Sequence, residues 1–130
     1  KQPLLVIGNL ETNYSSLVLD KENLEILKVY KDSLELLPFG KKGEGGIIQA
    51  RLKKNIPLLR LAEVLDYYQV PAANRTLKVM VNKSLIQPDL FLADVSRIKK
   101  IEKIKQDITS PLLYSLNPNE EYLNIVTVKE

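Results

Sequence analysis

Gly40-Lys41-Lys42-Gly43-Glu44-Gly45-Gly46 is the stretch whose composition most suggests chemistry, because glycine-rich backbone beside lysines can cradle phosphate. The P-loop spacing is missing, since no Ser or Thr follows a Gly-Lys pair. The glycines therefore read as a turn between a helix and a strand. Lys99, Lys100, Lys103 and Lys105 form a dense cationic run, but Glu102 interrupts it and no aromatic residues are interleaved for base stacking. That run reads as a solvated face. The carboxylate pairs are Asp20 with Glu22 and Glu120 with Glu121. Metal or glycosidase chemistry needs carboxylates that converge in a pocket, which closeness along the chain does not supply. Ser15, Ser16, Ser33, Ser84, Ser96, Ser110 and Ser115 have no histidine to activate them and no nucleophile-elbow motif around them. Ser-x-x-Lys occurs once, at Ser96-Arg97-Ile98-Lys99. The residues thus assign no catalytic, cofactor-binding or metal-ligating position and no cofactor, and the chain reads as a non-enzyme. Tyr67-Tyr68, at the end of an amphipathic segment, reads as a cap on a core rather than as an interface pair.

The totals narrow the classes further. A chain of 130 residues is long enough for one domain with a real core. Its 45% apolar content is that of a globular protein. Nineteen Lys plus Arg against sixteen Asp plus Glu leave a net charge of +3, spread widely instead of gathered into a basic stripe. Cys is absent, which excludes a disulfide framework and a thiolate metal site, and His is absent, which removes the usual near-neutral general base. No apolar run approaches the roughly 20 residues that span a bilayer. The chain begins at Lys1 without Met and without a visible signal peptide, so a processed protein or a trimmed one is expected.

These residues need elements to position them. Leu4-Leu5-Val6-Ile7, closed by Gly8-Asn9, reads as a central strand because it is apolar on both faces. Glu11 to Ser16 reads as loop. Asp20 is placed to cap a single helical turn ahead of the strand Leu24 to Tyr30. Asp32-Ser33 would cap a short helix with Leu34, Leu36 and Leu37 on its apolar side, and Pro38 discourages helical geometry at Leu37. Ile47 to Leu52 is the next strand. Leu58, Leu61, Ala62, Leu65 and Tyr68 share one helical face, which predicts a helix over about 57–68 capped by Asn55, with Pro57 in its first turn. Leu77, Val79 and Val81 predict a strand closed by a turn at Asn82-Lys83-Ser84. Pro88-Asp89 marks a break, Pro111-Leu112-Leu113-Tyr114 is a Pro-interrupted apolar stretch, and Asn117-Pro118-Asn119-Glu120 is a turn before the strand Tyr122 to Val128.

At an offset of 74 the second half overlays the first. Leu5-Val6-Ile7 falls on Val79-Met80-Val81, Asp20 on Asp94, and Leu24, Leu27 and Tyr30 on Ile98, Ile101 and Ile104. After Lys31 the second copy needs one or two extra residues, which brings Phe39 to Tyr114 and Ile47-Ile48 to Leu123-Asn124 or their neighbours. The repeat conflicts with local pattern over Arg97 to Gln106. Isoleucines three apart predict a helix there, whereas the repeat predicts one helical turn followed by a strand through Lys100 to Lys105. The repeat is preferred, because tertiary context overrides local pattern in short segments.

Asn23 through Asp32, then Phe39-Gly40 and Gly43-Glu44-Gly45-Gly46-Ile47-Ile48, preceded by Pro3-Leu4-Leu5-Val6-Ile7, resembles the plug domain of TonB-dependent outer-membrane receptors, most closely the Bacteroidetes type. Lys31-Asp32, Phe39-Gly40 and Gly46-Ile47-Ile48 carry the spacing. Gly8-Asn9 stands where the family has Asp-Gly, and the second half lacks the glycine-rich turn. The resemblance covers about residues 3–52 and implies an α+β module in a Gram-negative envelope. The resemblance does not extend to the barrel that such plugs occupy, and a free-standing plug is expected. The expectation is a single α+β domain over 1–130, in which two tandem plug-like half-repeats (about 3–54 and 77–129) are joined by the helix and share one small mixed sheet. It is expected to be a free-standing soluble envelope protein, periplasmic or secreted after loss of a signal peptide. It would act without catalysis through contact with an unknown protein partner. The competing readings are a small basic nucleic-acid binder and an uncharacterised hydrolase.

Overall fold

The strand Leu4–Ile7 (β1) lies parallel to Ile47–Leu52 (β5), with Leu5 opposite Ile48 and Ile7 opposite Ala50. The computed structural model describes residues 2–105 and 119–128. Around that parallel pair, Leu10–Thr12 (β2) returns antiparallel to β1 through the Gly8-Asn9 turn, where Gly8 holds φ +63°. The strand Leu24–Tyr30 (β4) pairs antiparallel with β5, giving the order β2-β1-β5-β4. The second half builds the same order from later strands. Lys78–Val81 (β6), Ser84–Leu85 (β7), Ile98–Lys105 (β9) and Glu121–Thr127 (β10) form β7-β6-β10-β9. Parallel and antiparallel pairings match position for position between the sheets. Leu5 and Val79, 74 residues apart, occupy matching places, as do Ile48 and Leu123, 75 apart. The protein is thus α+β with small mixed sheets.

The expectation of one shared sheet needs correction. Each half closes its own four-stranded sheet, and what the halves share is a parallel ribbon of Leu17–Val18 (β3) and Leu92–Ala93 (β8). Successive residues of a strand point to opposite faces, and here each face meets a different core. Leu17, Leu19 and Leu92 join Leu5, Ile7 and Ala50 in the first-half core. Val18, Phe91 and Ala93 join Val79, Leu123, Ile125 and the helix residues Val64 and Leu65 in the second. A ribbon apolar on both faces is the wall between two cores, the same reason that central strands read as continuous apolar runs.

Local caps follow the sequence. The Asp20 carboxylate accepts from Glu22 N at 3.0 Å and starts the one-turn 3-10 helix Lys21–Asn23. Asp94 accepts from Ser96 N at 3.0 Å and starts Val95–Arg97. Asp32 accepts from Leu34 N at 2.8 Å and starts Ser33–Leu36 (α1). Here two details differ from expectation. Leu37 remains in the right-handed helical region, and the chain continues as 3-10 turns within Leu37–Gly43 that are broken at Gly40, with Pro38 in the first turn, where the missing N–H costs nothing. Leu34 and Leu37 are not an apolar packing side, being 74% and 71% exposed.

The connecting helix is shorter than its periodicity suggests. Leu59 exchanges two backbone hydrogen bonds with Ala93, at 2.8 and 2.9 Å, which holds it extended. Helix α2 therefore runs Leu61–Tyr67, with Arg60 and not Asn55 at its N-cap. The Arg60 N–H donates to the Glu63 carboxylate at 3.0 Å. Its buried side is Val64 and Leu65, with Leu61 and Tyr68 packed partly against the core, while Ala62 is exposed.

Glu11 to Ser16 is not a loop. After β2, Asn13 caps the 3-10 turn Tyr14–Ser16, and Thr12, Asn13 and Ser16 are all buried. They bond across to the second half. Thr12 Oγ1 donates to Leu90 O at 2.7 Å, Asn13 Nδ2 donates to Gln87 Oε1 at 3.1 Å, and Ser16 Oγ accepts from Gln87 N at 3.1 Å. Buried polar groups need partners, and these three find some of theirs across the junction of the halves.

The conflict over Arg97 to Gln106 resolves as a strand through Lys105. Lys99 is an extra residue in the ladder, since Val126 pairs with Lys100 and Thr127 with Ile98. A bulge of this kind shifts the pleat by one residue. Ile98 and Ile101, three apart, therefore both face the core. Gln106, the Pro111 to Tyr114 stretch, the proposed match of Phe39 to Tyr114 and the Asn117-Pro118 turn lie outside the described residues.

Candidate functional site

Among the described residues, those with chemical potential do not come together at one site. Gly40 and Gly46 hold φ of +58° and +92°, backbone that glycine adopts at little cost, so the glycine-rich loop does the work of a turn. Its Lys42 Nζ pairs with the Glu11 carboxylate at 3.1 Å. Together with Arg60, Gln87 and Asp89 these two line an open cleft of about 700 Å³ at the junction of the halves. Arg60 Nη1 is engaged with the backbone carbonyls of Glu11 at 2.9 Å and Phe91 at 3.3 Å. These bonds hold the junction together.

The lysine run lies on β9, the outer strand of its sheet. Lys100 pairs with Glu102 at 3.2 Å and Lys103 with Glu121 at 3.6 Å, while Lys99 and Lys105 are exposed. The hydrogen bond from Asn124 to Glu102, and then the neighbouring Lys100, hold the Glu102 carboxyl below the usual glutamate range. Ser96 Oγ donates to Asp94 at 2.8 Å, so its hydroxyl is committed to the cap. Asp20, Glu22 and Asp94 border one open cleft with Lys53, Lys54 and Arg97. Among the described residues no group of three or more carboxylates stands where it could hold a metal ion. Glu120 and Glu121 separate, the first toward Lys78 and the second toward Lys103. Ser110 and Ser115 lie outside the described residues. Of the Tyr67-Tyr68 pair only Tyr68 caps the core, with its hydroxyl donating to Ile98 O at 3.2 Å and its ring edge-on to Tyr67, which is itself exposed. Burial first, and then the neighbouring Tyr67, raise the Tyr68 phenol above its ordinary value.

What stands out instead is the outer edge of the first sheet. Among the described residues no strand pairs with the outer side of β4. Leu27 is an extra residue there, because Ile26 pairs with Ala50 and Lys28 with Gln49. The bulge puts Leu24, Ile26 and Val29 on the face of Leu52, Ala50 and Ile48, and Glu25, Lys28 and Tyr30 on the other. Ile26, Leu27 and Val29 are 46%, 51% and 46% exposed. On the opposite face Glu25 pairs with Arg51 across the ladder. Lys28 lies 3.7 Å from Glu35 and 4.6 Å from the centre of the Tyr30 ring.

The matching place in the second sheet has different chemistry. Ile48 and Leu123 are equivalent in the two ladders, and their outer neighbours are Val29 and Lys103. Soluble proteins guard sheet edges with lysines and bulges. The edge of β9 carries four lysines, whereas that of β4 carries one lysine and three exposed apolar side chains. The alternating pattern of Leu24 to Tyr30 predicts a half-buried strand and so conceals this edge. The one signal in the sequence is the adjacency of Ile26 and Leu27, which a regular pleat would place on opposite faces. No family model, no curated protein and no solved structure matches the chain.

Proposed function

We propose that this chain is a non-catalytic, plug-like protein of the cell envelope, periplasmic or secreted, that works by protein–protein contact through β4. The observation that carries the reading is the apolar outer edge of β4, which no strand among the described residues pairs with. Exposed apolar surface set beside polar residues marks interaction sites, and an open strand edge offers unmatched backbone donors and acceptors to a partner. The same edge lies inside the 3–52 stretch that resembles the TonB-dependent plug. The matching strand order of the two sheets supports two half-repeats from one ancestral unit. The scattering of serines, carboxylates and lysines over separate surfaces supports a role without catalysis.

The test is done in the natural host. The chain, produced from its own gene, should be recovered from the periplasm or the medium. Val29→Lys should abolish its cross-links to protein while leaving its amount and circular dichroism unchanged. Recovery from the cytoplasm, or cross-links indifferent to Val29→Lys, would sink the proposal. The nucleic-acid reading rests on Lys99 and Lys105, which extend from β9. Retention on immobilised duplex DNA should be negligible at low salt, because Lys100 and Lys103 are already balanced by Glu102 and Glu121. Strong retention that falls steeply with salt would reinstate that reading.

A further inference from the structure

We infer that β4 pairs antiparallel with β4 of a second copy of this chain, about a two-fold axis between Ile26 and Leu27. This rests on the reading of β4 as a contact surface and names what covers it. In a two-fold antiparallel pair, residues directly opposite must point to the same face of the sheet. For an unbulged strand this forbids an axis between adjacent residues, because opposed positions would then differ in face. The extra residue Leu27 removes that obstacle. Glu25 and Lys28 share one face of β4, and Leu24 and Val29 share the other. With the axis between Ile26 and Leu27, Glu25 meets Lys28 of the second copy, and Lys28 meets its Glu25. Leu24 meets Val29 twice, and the two bulges fall opposite each other, so neither strand has a residue left over.

The pattern is therefore complementary to itself in both charge and apolarity. Opposite charges directly across a ladder stabilise it, and like charges destabilise it. Arg51 and Glu35 already sit beside Glu25 and Lys28 on that face, so the pairing would extend two existing ion pairs into a continuous row. It would also cover Ile26, Leu27 and Val29, the exposed apolar residues of the strand. By contrast, β9 would oppose lysine to lysine over much of its length, and β2 and β7 are only three and two residues long. The first sheet thus has one edge suited to self-pairing, and the result would be a continuous eight-stranded sheet across two copies.

Analytical ultracentrifugation of the full chain over a range of concentrations should show a reversible monomer–dimer equilibrium. Val29→Lys, which gives β4 the residue that β9 has at the matching place, should leave the circular dichroism unchanged and abolish the dimer. Glu25→Lys alone and Lys28→Glu alone should each weaken self-association about tenfold, since each sets like charges opposite each other twice. An equimolar mixture of these two variants should recover dimers, because each then supplies the charge the other lacks. A chain that stays monomeric throughout, or a dimer indifferent to all three substitutions, would overturn the inference. The chain has no cysteine, so Leu27→Cys labelled with a photoactivatable maleimide reports this edge alone. Cross-links at twice the chain mass support self-pairing. Cross-links solely to a different protein would overturn self-pairing and leave the contact reading standing, and no cross-link at all would remove both.

Discussion

Phe91→Ala should lower the stability of the whole chain by about 3–5 kcal/mol, the usual range for removing a buried phenylalanine ring. Phe91 is fully buried in the second core, and its neighbour Leu92 is fully buried in the first. The strand that carries Leu92 and Ala93 is one half of the ribbon between the cores. A cavity on one side of that ribbon loosens the strand that walls the other side. The hydrogen bonds from Thr12 and Asn13 to Leu90 and Gln87 enter the same segment. Both halves should therefore unfold in one transition. Urea denaturation followed by circular dichroism gives the loss of stability. Amide hydrogen exchange at Leu5 and Val79 gives its distribution. Comparable acceleration at both positions is expected, whereas acceleration confined to Val79 would mean that the halves open independently.

The second large effect is expected at Asn124, which is 1% exposed in the middle of β10. Its Oδ1 accepts from the backbone N–H of Lys83 at 2.8 Å, and its Nδ2 donates to Glu102 Oε2 at 3.0 Å. Asn82 and Lys83 form the turn between β6 and β7 with φ of +49° and +69°, a geometry that asparagine tolerates better than lysine. The side chain of Asn124 thus helps to hold a turn that its own residues disfavour. Asn124→Ala should destabilise the protein by about 1–3 kcal/mol, the cost of losing two part-buried hydrogen bonds, one of them to a carboxylate.

The loss should also depend on pH. The Asn124 bond is the leading reason that the Glu102 carboxyl lies below the ordinary glutamate range. A depressed folded-state pKa adds stability that is complete above the unfolded value and is lost as pH falls through the folded one. The gap between wild type and Asn124→Ala should therefore be full at neutral pH and narrow as pH drops below the ordinary glutamate range. A gap that is constant from neutral to acid pH would show that the Glu102 bond contributes nothing. Equilibrium urea denaturation at a series of pH values makes the measurement.

Much of the local structure was legible because it depends on chemistry a few residues wide. Asp20, Asp32 and Asp94 cap helical turns through their own side-chain oxygens. Gly8 turns the chain where positive φ is needed. The order of strands along the chain, and the matching of Leu5 to Val79 and of Asp20 to Asp94, could be read at a constant offset for the same reason. The candidate site was hardly legible. Leu24 to Tyr30 looks like any half-buried strand, and exposure of its edge depends on which strand ends up outermost.

The sequence by itself determined the Gly8-Asn9 turn, the caps at Asp20 and Asp32 and the strands Leu4–Ile7, Leu24–Tyr30 and Ile47–Leu52, because those choices are made by backbone freedom and short-range chemistry. Tertiary structure decided the rest. Leu59 lies inside a helical period yet is extended, since Ala93 offers it two backbone hydrogen bonds. Ile98 and Ile101 have helical spacing yet lie in a strand, since the ladder to β10 satisfies the backbone and one bulge at Lys99 turns both toward the core. Two sheets form in place of one because the ribbon of β3 and β8 is apolar on both faces and needs a core on each. Which edge is left open follows from strand order, and strand order is fixed by residues 17 to 43 positions apart that meet only when the chain is folded.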